Sequence, residues 1–151
     1  MKGIGLFVAL LLVALGIATF VVTRPPSREL DREGRAWVTG FSTWRATFAR
    51  RIVRAEEAIG VSREARLSSR LIDPLQGCAD SLARIGEPPR LLKSVVEQAS
   101  TACGEVEYAL TVHARYGAPA LATTWQHLHR AERWLTDAEV TLRRQLDTGA
   151  S

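Results

Sequence analysis

The chain is 151 residues long, with 20 basic and 16 acidic side chains, a net charge of +4 and two cysteines. Apolar residues make up 46% of it and charged residues 24%. This composition excludes an intrinsically disordered chain, a disulfide-dense mini-scaffold and a multidomain enzyme. It is typical of one small folded domain, although much of the apolar content lies in the first 23 residues.

The N-terminal segment 3–23 contains no charged residue. As a helix it spans about 30 Å, which is the thickness of the hydrocarbon core of a bilayer. A cleaved signal peptide is the alternative, but its apolar core usually ends after about 7–15 residues. Here the apolar run continues past Gly16 to Val22. We therefore predict that residues 1–23 form a transmembrane signal-anchor, which contacts the lipid bilayer through residues 3–23.

The flanks of this anchor bear on its orientation. Several arginines come after the apolar run and only Lys2 precedes it, which by the positive-inside rule favours a cytoplasmic domain. A two-residue tail ahead of an apolar core is, however, typical of a signal-anchor that exports its C-terminal domain. We expect an extracytoplasmic domain at the cell membrane, with a cytoplasmic-facing, membrane-tethered adaptor as the alternative.

Basic side chains close to the predicted membrane surface are candidates for contact with anionic lipid headgroups. They are Arg24, Arg28, Arg32 and Arg35. Interleaved acidic residues dilute their field, so a solvated helix face is the other interpretation. The same interleaving argues against nucleic acid as a partner.

Glycine and proline divide the rest of the chain into segments. Residues 24–28 contain Pro25-Pro26 and are predicted to be a linker, because proline cannot continue a helix. Further breaks lie near Gly60, at 86–89 and at 117–119. The helical domain is predicted over residues 29–147, and the small residues 148–151 are expected to form a flexible tail.

Each of the four segments between these breaks has apolar residues at helical spacing, and none has the alternation of a strand. The last segment places leucine every seven residues, at Leu121, Leu128, Leu135 and Leu142. The pattern predicts an all-α protein: an N-terminal transmembrane helix followed by an antiparallel up-down-up-down four-helix bundle. Three long helices with the first detached are the alternative. Pro74 predicts that the second helix kinks or starts anew.

Cys78 and Cys103 lie on the apolar faces of neighbouring segments. Outside the cytoplasm, two such cysteines are expected to form a disulfide. Straight helices would offset the pair by about 9 Å along their axes, which favours the alternative of two buried thiols. A kink at Pro74 or a looser turn at 86–89 would remove the offset. We predict the disulfide.

The chain has four tryptophans, a high number for its length. Trp37, Trp44 and Trp125 lie along the apolar faces and are predicted to be in the core. Trp134 stands beside Leu135, away from the main apolar line. It is therefore the candidate for contact with a protein partner.

No residues form a recognisable catalytic or cofactor-binding motif. His127 and His129 are two residues apart on one predicted helix and point to different faces. Together with His113 they are predicted to be ordinary helix-surface histidines. A haem ligand set would need two of them, because Met1 is the only methionine.

Several glutamates raise the possibility of a carboxylate-bridged di-metal site, which needs Glu-x-x-His on two helices of a bundle. The candidates are Glu105, Glu107, Glu132 and Glu139. The nearest approach to the motif is reversed and occurs once, at His129-Arg130-Ala131-Glu132. We therefore expect no catalytic residue, no cofactor and no metal.

The layout resembles that of membrane-anchored, all-helical envelope proteins of bacteria with GC-rich genomes; the domain's 18 arginines against one lysine fit such a genome. We expect a non-enzymatic, single-pass membrane protein that acts through contact with a protein partner or a second copy of itself. A helical bundle that binds a small apolar ligand or haem is the alternative.

Overall fold

The computed structural model of the protein describes residues 30–61 and 67–149. These residues form five α-helices: α1 Arg32–Val61, α2 Ser69–Ile72, α3 Cys78–Ala83, α4 Lys93–Tyr116 and α5 Leu121–Gly149. Short 3₁₀ helices lie at Asp73–Leu75, Arg90–Leu92 and Ala118–Ala120. The described residues contain no strand, so the prediction of an all-α protein is confirmed.

Three long helices build the core. They are α1 with 30 residues, α4 with 24 and α5 with 29. The pairing of α4 with α5 is the most extensive, and α1 packs mainly against α5. Each of the three buries one face, as its apolar spacing predicts. The largest fully buried apolar side chains are Phe41, Phe48, Ile52, Leu75, Leu92, Val95, Val106, Leu128 and Leu135.

The second segment differs from the prediction of four helices of similar length. It consists of α2, a 3₁₀ turn and α3, and the two helices have only four and six residues. Pro74 lies in the 3₁₀ turn and has no N–H for a helical hydrogen bond. Three residues later, Gly77 has φ of 66°, a left-handed conformation that favours glycine and interrupts the helix. The prediction that the second helix starts anew after Pro74 is confirmed, whereas the prediction that the second helix matches the others in length is wrong.

The broken segment nevertheless runs antiparallel to α1. Trp44 Nε1 donates to Ser81 Oγ over 2.8 Å, and Arg51 Nη1 donates to the carbonyl of Pro74 over 3.0 Å. A later position in α1 thus meets an earlier one in the segment. Trp37 Nε1 extends the series with a 3.2 Å bond to the carbonyl of Gly86.

Contacts of the same kind give the direction of α5 relative to its neighbours. Gln145 donates to Ser94 over 2.9 Å near the start of α4, whereas His127 meets Glu105 further along it. The helix α5 therefore runs antiparallel to α4. It also runs antiparallel to α1, because Arg45 pairs with Glu139 at 2.7 Å while positions later in α1 meet positions earlier in α5.

Local sequence signals set the ends of the long helices. The side chain of Asp31 caps α1 by accepting the N–H of Gly34 over 2.7 Å. Pro89 is the N-cap of the 3₁₀ helix before α4, and its carbonyl accepts the N–H of Leu92 over 2.8 Å. At the end of α4, Gly117 takes φ of 60° and donates to the carbonyl of His113.

Residues 1–28, the predicted anchor and linker, lie outside the described residues. Within residues 30–61 and 67–149, no helix combines the length and apolarity needed to span a membrane. At the other end, α5 continues to Gly149. The first two residues assigned to the flexible tail, 148 and 149, are therefore helical.

Candidate functional site

The two cysteines form a disulfide. Cys78, the first residue of α3, is bonded to Cys103 in α4, and their Cα atoms are 5.3 Å apart. This separation is within the ordinary range for a disulfide, about 4.4–6.8 Å. Both residues are buried in the core. The predicted pairing is confirmed.

The open turn at residues 86–89, between α3 and α4, accounts for this bond. Residues 86–89 are not helical, so each can advance the chain by up to about 3.3 Å instead of the 1.5 Å of a helix. Four such residues gain about 7 Å, which removes most of the offset expected for two straight helices. The bond then joins the short helix α3 to the middle of α4 and fixes the broken segment to the core.

The tryptophans divide differently from the prediction. Trp37 is buried, and Trp44 packs against the core. Trp125, predicted to be buried, is 41% exposed. The adjacent Thr124 takes the core position instead. Its hydroxyl donates to the carbonyl of Ala120 over 2.9 Å, so burial does not leave the hydroxyl without a hydrogen bond. Trp134, the predicted partner contact, is 36% exposed.

Of the four arginines predicted to contact lipid headgroups, Arg24 and Arg28 lie outside the described residues. Arg32 and Arg35 are exposed in the first turn of α1. Arg35 Nη1 donates to the carbonyl of Leu30 over 2.6 Å. Their contact with lipid stays a prediction.

The first of the three histidines corrects the prediction of a helix surface. His113 is buried, and its Nε2 accepts the N–H of Leu67 over 3.0 Å. It therefore holds the start of the broken segment against the end of α4. Its position one turn beyond Leu110 on the apolar face was the sequence signal for this role.

His127 belongs to a compact pair on α4 and α5. Its Nδ1 lies 2.5 Å from Oε2 of Glu105, and its ring centroid lies 4.4 Å from that of Tyr108. The pair contains a single carboxylate, that of Glu105, and Nδ1 of His127 forms the hydrogen bond with it.

His129 lies between two carboxylates. Its Nδ1 is 3.3 Å from Oε1 of Glu56 on α1 and 3.7 Å from Oε2 of Glu132, one turn further along α5. The three ligand-type atoms all lie within 4.8 Å of one another. We call these residues the acid–histidine cluster. The ring of Trp125 stacks on His129, with centroids 5.1 Å apart and planes 4° from parallel.

The three side chains of the acid–histidine cluster differ in exposure. Glu56 is only 11% exposed, whereas His129 is 46% exposed. Oε1 of Glu56 has no access to solvent and accepts no hydrogen bond. Burial, together with the negative charge of Glu132, raises the pKa of the Glu56 carboxyl above its usual value, and His129 opposes this rise.

Helix geometry explains how the cluster forms. Glu56 comes directly after Ala55, a core residue of α1, and so lies at the edge of the interface with α5. Residues i and i+3 of a helix share a face, which brings His129 and Glu132 together on α5. Glu132 was a candidate from the sequence, whereas Glu56 was missed. Nothing in the sequence gives the register of α1 against a helix that begins 60 residues after α1 ends.

No protein-family model, no curated protein and no solved structure is significantly similar to this chain.

Proposed function

We propose that the protein is a non-enzymatic, single-pass membrane-anchored domain of the bacterial cell envelope that acts through protein–protein contact. The observation that carries the proposal is the disulfide between Cys78 and Cys103 in a chain whose residues 3–23 are uncharged and largely apolar. Disulfides persist in oxidising compartments and are rare in the cytoplasm. A membrane anchor that exports the domain accounts for both features.

The surface that supports protein contact is the outer seam of α4 and α5, defined by Tyr108, His127 and Trp134. His127 and Trp134 are seven residues apart and therefore share a face of α5. Tyr108 joins this face from α4 through its ring contact with His127, and it is exposed. Exposed Tyr and Trp side chains are enriched where proteins bind partners.

The environments of the reactive side chains support a non-enzymatic role. Both cysteines are bonded, so neither offers a thiolate nucleophile. In the part of the chain that the structure describes, His113 accepts a backbone N–H in the core and His127 is paired with Glu105. Neither imidazole is held beside a serine, threonine or cysteine nucleophile in these contacts.

Site-specific photo-crosslinking in living cells tests the contact surface. A benzoylphenylalanine would replace Trp134 in one variant and Val140 in another. Val140 is the matched control because it lies on the same helix, is 50% exposed and points to a different face. We expect crosslinks to one protein, or to a second copy of this chain, from position 134 and not from 140. Equal crosslinking from both positions, or none from either, would contradict the proposed surface.

Cell fractionation tests the location separately. The proposal predicts that the full chain stays in the membrane pellet after alkaline carbonate extraction and that added protease degrades it in spheroplasts. A chain released by carbonate would contradict the anchor. A membrane-bound chain that protease cannot reach would instead support the cytoplasmic-facing alternative.

A further inference from the structure

We infer that Glu56, His129 and Glu132 form a binding site for a divalent transition-metal ion of the Zn²⁺ type, which bridges α1 and α5. One imidazole and two carboxylates are ligands that Zn²⁺ takes in proteins. This site is independent of the proposed function, because it uses neither the anchor nor the outer seam of α4 and α5.

The distances within the acid–histidine cluster favour a metal over direct pairing. A charge-assisted hydrogen bond between an imidazole and a carboxylate closes to about 2.7–2.9 Å, yet Nδ1 of His129 lies 3.3 Å and 3.7 Å from the two carboxylate oxygens. Ligand atoms about 2.0–2.1 Å from a tetrahedral Zn²⁺ are about 3.3–3.4 Å from one another. The 3.3 Å separation of His129 from Glu56 matches this spacing, and the 3.7 Å separation from Glu132 needs only a small closure.

The nearby pair of His127 and Glu105 shows the contrast within one molecule. Its nitrogen and oxygen approach to 2.5 Å, which leaves no room for an ion between them. In the acid–histidine cluster, Oε1 of Glu56 is buried and accepts no hydrogen bond although Nδ1 of His129 is its neighbour. A buried carboxylate oxygen without a hydrogen bond is costly, and coordination to a cation would satisfy it.

Charge also favours a cation. The cluster contains two carboxylates and one imidazole. Among the described residues, no Lys or Arg nitrogen lies within 4.0 Å of Glu56 or Glu132, although Arg45 and Arg143 both pair with Glu139 on the same helix. A divalent cation would supply more positive charge to the two carboxylates than the single imidazole of His129 can.

The surroundings of His129 suit a three-ligand site. The stacked ring of Trp125 holds the plane of the His129 imidazole. Glu56 forms the buried floor, while the exposure of His129 and Glu132 leaves the outer side open to solvent. The fourth position of a tetrahedral ion would therefore be taken by water.

The test is calorimetric titration of ZnCl₂ into the full-length protein, purified in detergent without a polyhistidine tag and first stripped with EDTA. We expect one ion per chain. Replacing a metal ligand should weaken affinity by at least about 10-fold, since even the outer partners of metal ligands contribute about 10–100-fold. His129→Gln and Glu56→Gln are the test variants. His127→Gln is the matched control, because it changes the same residue type on the same helix in a pair with one carboxylate.

A thermal melt of each protein in EDTA and in ZnCl₂ gives a second readout. An ion that bridges α1 and α5 stabilises the folded state by mass action, so Zn²⁺ should raise the Tm of the parent protein and of His127→Gln but not that of His129→Gln. Near-native melting of the variants in EDTA shows that they fold. The inference is overturned if the parent protein binds no Zn²⁺, or if His129→Gln and Glu56→Gln bind it as tightly as the parent.

Discussion

The backbone N–H of Leu67 donates to Nε2 of His113 over 3.0 Å, 46 residues away in the chain. This buried hydrogen bond ties the beginning of the broken segment to the end of α4, while the disulfide between Cys78 and Cys103 ties the same segment to the middle of α4. The two links together hold the broken segment in place. Its two helices are too short to offer a long apolar face for packing.

Replacement of His113 by leucine should destabilise the domain. The change leaves the buried N–H of Leu67 without an acceptor, which costs about 1–3 kcal/mol and lowers Tm by roughly 4 °C per kcal/mol in a domain of this size. Thermal melting followed by circular dichroism measures it. His113→Gln, whose amide oxygen can accept the same bond, should recover part of the loss. Equal melting of His113→Leu and the parent protein would show that the bond does not contribute.

Loss of the disulfide should also lower stability. The bond between Cys78 and Cys103, which are 25 residues apart, reduces the entropy of the unfolded chain and so raises the free energy of unfolding by about 3 kcal/mol. The Cys78→Ser/Cys103→Ser double variant is therefore expected to melt roughly 10 °C lower. Treating this variant with a reductant is the control, since reduction should lower the Tm of the parent protein and leave that of the variant unchanged. A double variant that melts with the parent contradicts the prediction.

The different positions of Trp37 and Trp125 predict different effects of truncation. Trp37 is buried and stacks on Phe41 at 5.1 Å, so Trp37→Ala should destabilise by about 3–5 kcal/mol. Trp125 is exposed, and Trp125→Ala should change stability by less than about 1 kcal/mol. Chemical or thermal unfolding of both variants in parallel compares them. A loss of similar size at both positions would place Trp125 in the core after all.

The sequence was sufficient where a local signal determines the structure. The turns near Pro89 and Gly117 arise from residues with restricted or permissive backbones. The buried faces of α1, α4 and α5 are predicted by helical spacing alone. The disulfide required one further assumption, an oxidising compartment, and it lies where the apolar spacing of both segments placed its cysteines.

The sequence was insufficient where two choices compete or where distant helices must be aligned. Thr124 and Trp125 are neighbours, and tryptophan is the more apolar, yet the smaller side chain fits the core and satisfies its hydroxyl within its own helix. Gly77, with φ of 66°, lies at the N-cap of α3 and interrupts a helix that apolar spacing would continue. The acid–histidine cluster forms only when Glu56 on α1 lies opposite His129 on α5. The sequence around Glu56 does not give the register of the two helices.

The central claim of the proposed function is that the domain lies outside the cytoplasm, and both the disulfide and the predicted anchor bear on it. A thiol-accessibility assay in cells that express the full-length protein tests this location by showing whether the cysteines are bonded. Cells are lysed in denaturant with a bulky maleimide, with and without prior reduction, and the shift on a gel counts the labelled cysteines. Because the chain has two cysteines, the outcomes are few, and the Cys78→Ser/Cys103→Ser variant gives the baseline.

An exported, disulfide-bonded domain predicts no label in the denatured lysate without reduction and two labels after it. That result would direct the search for the partner to the cell envelope. Two labels without reduction would mean that Cys78 and Cys103 are thiols in the cell, which contradicts an outward-facing domain and favours the cytoplasmic-facing adaptor.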